Sequence, residues 1–115
     1  MSSTVLALPK LKTLVLNALD EMKAQGVVCL DVSKLTSITH YMIIATGSSS
    51  RQVKALANDV IEKTKAAGAS IFGVEGQNGA EWVLVDLGPI VLHLMQAESR
   101  EFYQLEKLWS SRETT

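Results

Sequence analysis

Thr46-Gly47-Ser48-Ser49-Ser50 is the stretch whose residue types most invite chemistry. It lies between an apolar run, Tyr41-Met42-Ile43-Ile44-Ala45, and a segment in which Val53, Leu56, Ala57, Val60 and Ile61 recur at helical spacing. Free backbone N–H groups and the positive end of a helix dipole converge at such a turn, which makes it a candidate anion site. It lacks the lysine of a P-loop and the three-glycine spacing of a dinucleotide fingerprint. Ser49 and Gln52 stand in the order of a capping box, so a capped helix start is the simpler reading.

Gly47-Ser48 after a strand also suits a nucleotidyltransferase, which holds two metal ions on a pair of carboxylates from a following strand. Residues 70–74, the strand expected after the helix, carry no such pair. Two-metal chemistry needs several anionic ligands to bring the cations within about 4 Å of each other. Asp86 stands alone, and Asp59 and Glu62 belong to the polar side of a helix. Asp86, His93 and Ser48 form no triad motif, since no nucleophile elbow is present. His40, His93 and Cys29 lack the paired short spacings of a zinc site. His93 reads as a strand histidine paired with a neighbouring acid or amide, and Arg51 and Arg100 read as solvated charges. No catalytic residue, metal or cofactor is therefore expected. The rival is a small nucleotide-binding or nucleotidyltransferase-type enzyme using the Gly47-Ser48 turn with Asp86. Trp82 is either core or the anchor of a binding surface, because an indole buries a large area at little entropic cost.

Around these residues the pattern of elements is regular. Pro9 suits the first turn of a helix, Leu11, Leu14, Val15, Ala18, Leu19 and Met22 form its apolar stripe, and Gly26 closes it. Residues 27–31 read as a strand, residues 32–40 as a polar connection and residues 41–45 as a buried strand. The helix after the serine turn ends at Gly68, which can take the left-handed cap. A strand over residues 70–74 is followed by a turn-rich loop containing Asn78-Gly79. Residues 82–86 and 90–95 read as a hairpin around Leu87-Gly88-Pro89. Alternation places Trp82, Leu84 and Asp86 on one face of its first arm, and His93 with Val91 and Met95 on one face of the second. Whether those faces coincide depends on register, which the sequence leaves open. A last helix over residues 98–109 presents Phe102, Leu105, Leu108 and Trp109 inward. The order α-β-β-α-β-β-β-α implies an α/β fold, a mixed five-stranded sheet flanked by helices.

With 115 residues, 47% of them hydrophobic and 20% charged, one folded domain is expected over residues 1–115, its core spanning about residues 9–109. A net charge of −1 argues against direct nucleic-acid binding, which calls for a basic excess. The single Cys29 has no intrachain partner and suits a reducing compartment. No signal-peptide pattern opens the chain, and no apolar run approaches the roughly 20 residues that span a bilayer. A cytoplasmic protein without membrane contact is expected.

Several blocks, in order, closely resemble the ribosomal silencing factor family, also called Iojap-like or RsfS. They include Leu30-Asp31-Val32-Ser33, Leu35-Thr36-Ser37, Ile44 through Val53, Gly73-Val74-Glu75-Gly76, Glu81 through Asp86, Val91-Leu92-His93 and Arg100 through Trp109. The resemblance implies a nucleotidyltransferase-like fold without catalytic carboxylates, in agreement with the missing acid pair. It implies docking on the large ribosomal subunit through ribosomal protein fourteen of that subunit, where the small subunit would otherwise join. Joining is then blocked and translation falls in starvation or stationary phase, by occlusion and with no bond made or broken. It implies further that copies can pair as a homodimer off the ribosome. Glu75, Trp82, Leu84, Asp86 and His93 keep the family pattern and are the expected partner-binding residues. His40 replaces a usual acid, and Leu87-Gly88-Pro89 after Asp86 replaces a usual Tyr-Gly-Asp, so two negative charges of the family are missing here.

Overall fold

The structure, a computed structural model, describes residues 7–104. Helix α1 spans Leu8–Glu21, strand β1 Gln25–Asp31, β2 Tyr41–Gly47, helix α2 Ser50–Ala66, β3 Gly73–Glu75, β4 Trp82–Asp86, β5 Ile90–Gln96 and helix α3 Ala97–Tyr103. The strands form one sheet in the order β1-β2-β5-β4-β3. Only β2 and β5 run parallel; the other pairs are antiparallel. The mixed five-stranded sheet and the order of elements agree with the sequence pattern. Leu105, Leu108 and Trp109 of the expected last helix lie outside the described residues, as does the side chain of Phe102.

The two sheet faces are built differently. Val83 and Val85 on β4, Ile90, Leu92 and Leu94 on β5, and Ile43 and Ala45 on β2 point to one face. There they bury against Leu11, Val15, Ala18 and Leu19 of α1 and Val53, Leu56, Ala57 and Val60 of α2. This face is the main core. On the opposite face Met42, Ile44 and Met95 form a second cluster with Val32, against which Leu30 and Trp82 pack. Strand β2 is thus buried on both faces, the physical reason for its uninterrupted apolar run.

Local chemistry sets the ends of the elements. Ser49 Oγ accepts the Gln52 N–H at 3.1 Å, while Gln52 Oε1 reaches back to the N–H of Ser48. The reciprocal bond of the expected capping box therefore falls one residue earlier than Ser49. Gln52 Nε2 also donates to the carbonyl of Met22, tying this turn to the end of α1. Gly47 must be a glycine for reasons of space, since a Cβ there would stand 2.8 Å from Val53 Cγ2 and 3.0 Å from its backbone nitrogen. Gly68 takes a φ of +90°, and the Ala69 N–H bonds back to Thr64, closing α2 as expected.

Two expected boundaries move. Helix α1 stops at Glu21, not at Gly26, because Lys23 takes the left-handed conformation itself, at φ +62°. The N–H groups of Lys23 and Ala24 close the last turn, and Gly26 becomes part of β1. The third strand begins at Gly73 rather than residue 70. Only the Phe72 N–H, bonded to the Asp86 carbonyl, extends the pairing backwards, because β4 offers nothing beyond Asp86.

Candidate protein-docking face

Strand register brings the expected partner-binding residues together. Glu75 pairs with Leu84, Leu84 with His93, and His93 with Ile44, so one row crosses the sheet from its edge to its centre. Directly paired residues share a face, so this row lies opposite α1 and α2. Trp82 opposes Met95 in the next row on one side, and Asp86 opposes Val91 in the next row on the other. All five residues therefore face the same way. Trp82, Leu84 and Asp86 are half-buried and Glu75 is exposed, whereas the alternate residues Val83 and Val85 are fully buried on the helical side.

Trp82 and His93 form a unit across β4 and β5. The indole Nε1 donates to His93 Nδ1 at 2.9 Å, and the rings lie tilted with centroids 5.7 Å apart. The expected partner for His93 was an acid or amide; the structure supplies an indole instead, because Trp82 sits diagonally across the strand pair. An Nδ1 that accepts a hydrogen bond cannot carry a proton, so the imidazole is neutral and protonated on Nε2. Burial pushes the His93 pKa down from 6.5 to about 4, which agrees with the neutral form.

Asp86 holds the end of β4. Its Oδ1 accepts the Gly88 N–H at 2.9 Å and so caps the β4–β5 turn, while the side chain as a whole remains half-exposed. The same turn is held from behind by Thr39 Oγ1, which donates to the Gly88 carbonyl, and by the His40 and Tyr41 N–H groups, which both reach the Pro89 carbonyl. His40 and Pro89, the two departures from the family pattern, therefore meet at one end of the sheet. At the other end Arg100 is not a free solvated charge: its Nη1 donates to Thr46 Oγ1 at 2.9 Å and fastens α3 to β2. Sequence reasoning missed this contact because Arg100 and Thr46 belong to distant parts of the chain.

Gly47 and Ser48 do not join this site. Asp86 is aligned with Val91 and Met42, and Gly47 lies five residues further along β2. At the usual rise per residue, that separation is about 16 Å. Ser48 is likewise four residues beyond Ile44, the row of His93, or about 13 Å away. Asp86 and His93 lie in neighbouring rows, but Ser48 is far from both, so the three cannot act together. Among the described residues no group of three or more His, Cys, Asp or Glu side chains is placed to hold a metal ion. No helix among them is long and apolar enough to cross a membrane. Cys29 is half-buried, and burial raises its thiol pKa above the ordinary value, which disfavours the reactive thiolate.

The fold and this face define an α/β protein with α1 and α2 over one side of a mixed sheet and an aromatic, acid-flanked patch on the other. The chain belongs to the ribosomal silencing factor family: the family model described as "Ribosomal silencing factor during starvation" matches residues 6–115. It is 50% identical over 95 residues to ribosomal silencing factor RsfS of Haemophilus influenzae, covering 83% of this chain and 93% of that one. The crystal structure of a Chromobacterium violaceum protein superimposes with a TM-score of 0.88 at 47% identity, over 90% of this chain and 87% of that chain. A more distant relative is "Mitochondrial assembly of ribosomal large subunit protein 1" of Mus musculus, 30% identical over 102 residues, which are 86% of this chain and 45% of that protein.

Proposed function

We propose that this chain represses translation by docking on the large ribosomal subunit and blocking its union with the small one. The contact is with ribosomal protein fourteen of the large subunit, through the face that carries Glu75, Trp82, Leu84, Asp86 and His93. The family is named for ribosome silencing, and the mouse relative is named for the large subunit. The observation that carries the choice of surface is the row Glu75–Leu84–His93, flanked by Trp82 and Asp86 on the face opposite α1 and α2. Half-buried aromatic and aliphatic side chains supply the desolvated centre of an interface, and the two carboxylates complement a basic ribosomal protein at its rim. The mechanism is steric. It uses no catalytic group and no cofactor.

Co-sedimentation of the protein with separated subunits, followed by a subunit-joining assay, tests this directly. Binding to the large subunit alone, with fewer joined ribosomes, is the expected result. The variant Trp82→Ala with Asp86→Asn, in which the asparagine oxygen can still cap Gly88, should bind at least about tenfold more weakly, roughly 1.4 kcal/mol. Unchanged binding by that folded variant would move the interface elsewhere. The nucleotidyltransferase alternative is disfavoured by the distance between Asp86 and the Gly47-Ser48 turn. A melting temperature that rises saturably with ATP or GTP and magnesium would restore it.

A further inference from the structure

The pairing of Trp82 with His93 has a consequence for what the docked protein must present. His93 is 6% exposed. Its Nδ1 is occupied by the indole N–H of Trp82. Among the described residues its Nε2 has no hydrogen-bond partner, and yet it is not one of their sealed, unsatisfied polar atoms, so the remaining exposure of the side chain leaves this atom within reach of solvent. An imidazole with one nitrogen tied as acceptor offers its other nitrogen only as a donor.

We propose that His93 is a specificity-determining donor of the docking face: Trp82 acts as its positioning residue, and the docked protein must set an acceptor oxygen over the outward His93 Nε2–H. This rests on the reading that the face docks on the large subunit, and it adds the chemistry of one contact to that reading. The acceptor is a backbone carbonyl, an amide oxygen or a carboxylate. A lysine or arginine placed there would be rejected, because two donors would face each other in a desolvated spot. The charged groups around His93 leave this polarity intact. Asp86 lies one row away on β4 and is engaged with Gly88, Glu75 lies two strands away on β3, and Arg100 of α3 is engaged with Thr46. Strands β1 and β2 contribute Val28, Leu30, Met42, Ile44 and Thr46 to this face and no charge. Basic residues of the partner would thus meet Asp86 and Glu75, and an oxygen would meet His93.

Two experiments separate this proposal from the reading beneath it. Long-range proton–nitrogen correlation spectra of the free, full-length, nitrogen-labelled protein report the tautomer without any ribosome. The expected pattern is an unprotonated Nδ1 and a protonated Nε2 for His93, unchanged between about pH 5.5 and 8. Trp82→Phe, which keeps an aromatic ring but removes the donor, should allow His93 to titrate at a higher pH. A protonated Nδ1 in the wild type, or titration at the ordinary histidine value, would overturn the proposal. The second experiment is co-sedimentation of wild type, His93→Gln and His93→Met with large subunits, each variant first checked for a cooperative melt. Glutamine can accept from Trp82 through its oxygen and donate outward through its nitrogen; methionine fills space without donating. Gln should bind within about threefold of wild type and Met at least about tenfold more weakly. Equal binding by all three would remove the donor role and leave the docking face standing. Failure of the wild type itself to sediment would overturn both the docking reading and the donor role, whatever tautomer the spectra show.

Discussion

The two faces of this sheet are made from the same strands, yet they serve opposite ends. Toward α1 and α2 every described sheet position from Val83 to Leu94 is apolar and sealed, so that face contributes stability and has nothing to offer a partner. The other face interleaves the apolar Met42, Ile44 and Met95 with Trp82, Leu84, Asp86 and His93, whose outer parts stay within reach of solvent. A half-buried polar-tipped residue is a compromise: it gives up packing energy and keeps a group that can be recognised. Position on one face or the other, one residue apart on a strand, decides which of these a side chain does.

The contrast is broken most sharply by truncating one leucine on each face. Leu94→Ala, on the sealed face, should destabilise the protein by about 2–5 kcal/mol in a urea titration, the range for a buried leucine that leaves a cavity. Leu84→Ala, half-buried on the opposite face, should cost only about 1 kcal/mol while weakening binding to the large subunit. Equal destabilisation by the two would show that the second face is core as well.

Acidification distinguishes the faces next. His93 has a folded-state pKa of about 4, below the ordinary 6.5, so the unfolded chain binds more protons than the folded one between those values. Stability is therefore fully present above about pH 6.5 and falls as the pH drops toward 4, by on the order of 3 kcal/mol in all. Denaturant midpoints measured across this window should decline in the wild type and decline less in His93→Gln. Identical slopes would mean that His93 is already charged in the folded protein.

The smallest effect is expected outside both faces. Lys63 meets Glu21 of α1 at 2.6 Å and Asp59 of its own helix at 3.1 Å, on the outer surface of the helical layer. Surface pairs of this kind are weakened by solvent and salt. Lys63→Ala should leave both the melting temperature and subunit binding within error of wild type. A loss that persists in high salt would reveal that the helix pair depends on this bridge.

Much of this was legible from residue types alone. The apolar run 41–45 reads as a strand buried on both sides, Ser49 and Gly68 mark the ends of α2, and the strand 82–86 is read to the residue. Where local cues were ambiguous the boundaries slipped. Gly26 looked like a helix terminator but lies in β1, because Lys23 accepts the left-handed turn three residues earlier. Arg100 looked solvated because nothing nearby in the chain announces Thr46.

The chain by itself determined which side chains alternate together: Trp82 with Leu84 and Asp86, His93 with Val91 and Met95. That follows from the period of two in an extended backbone. It could not determine how far one strand slides along the next, since a shift by two residues preserves every face and breaks every pair. Only the assembled sheet decided that Leu84 opposes His93, which carries the Trp82 indole to His93 Nδ1 and keeps Asp86 far from Gly47. Faces are a property of one strand, whereas contacts are a property of two, and register exists only once the strands have paired.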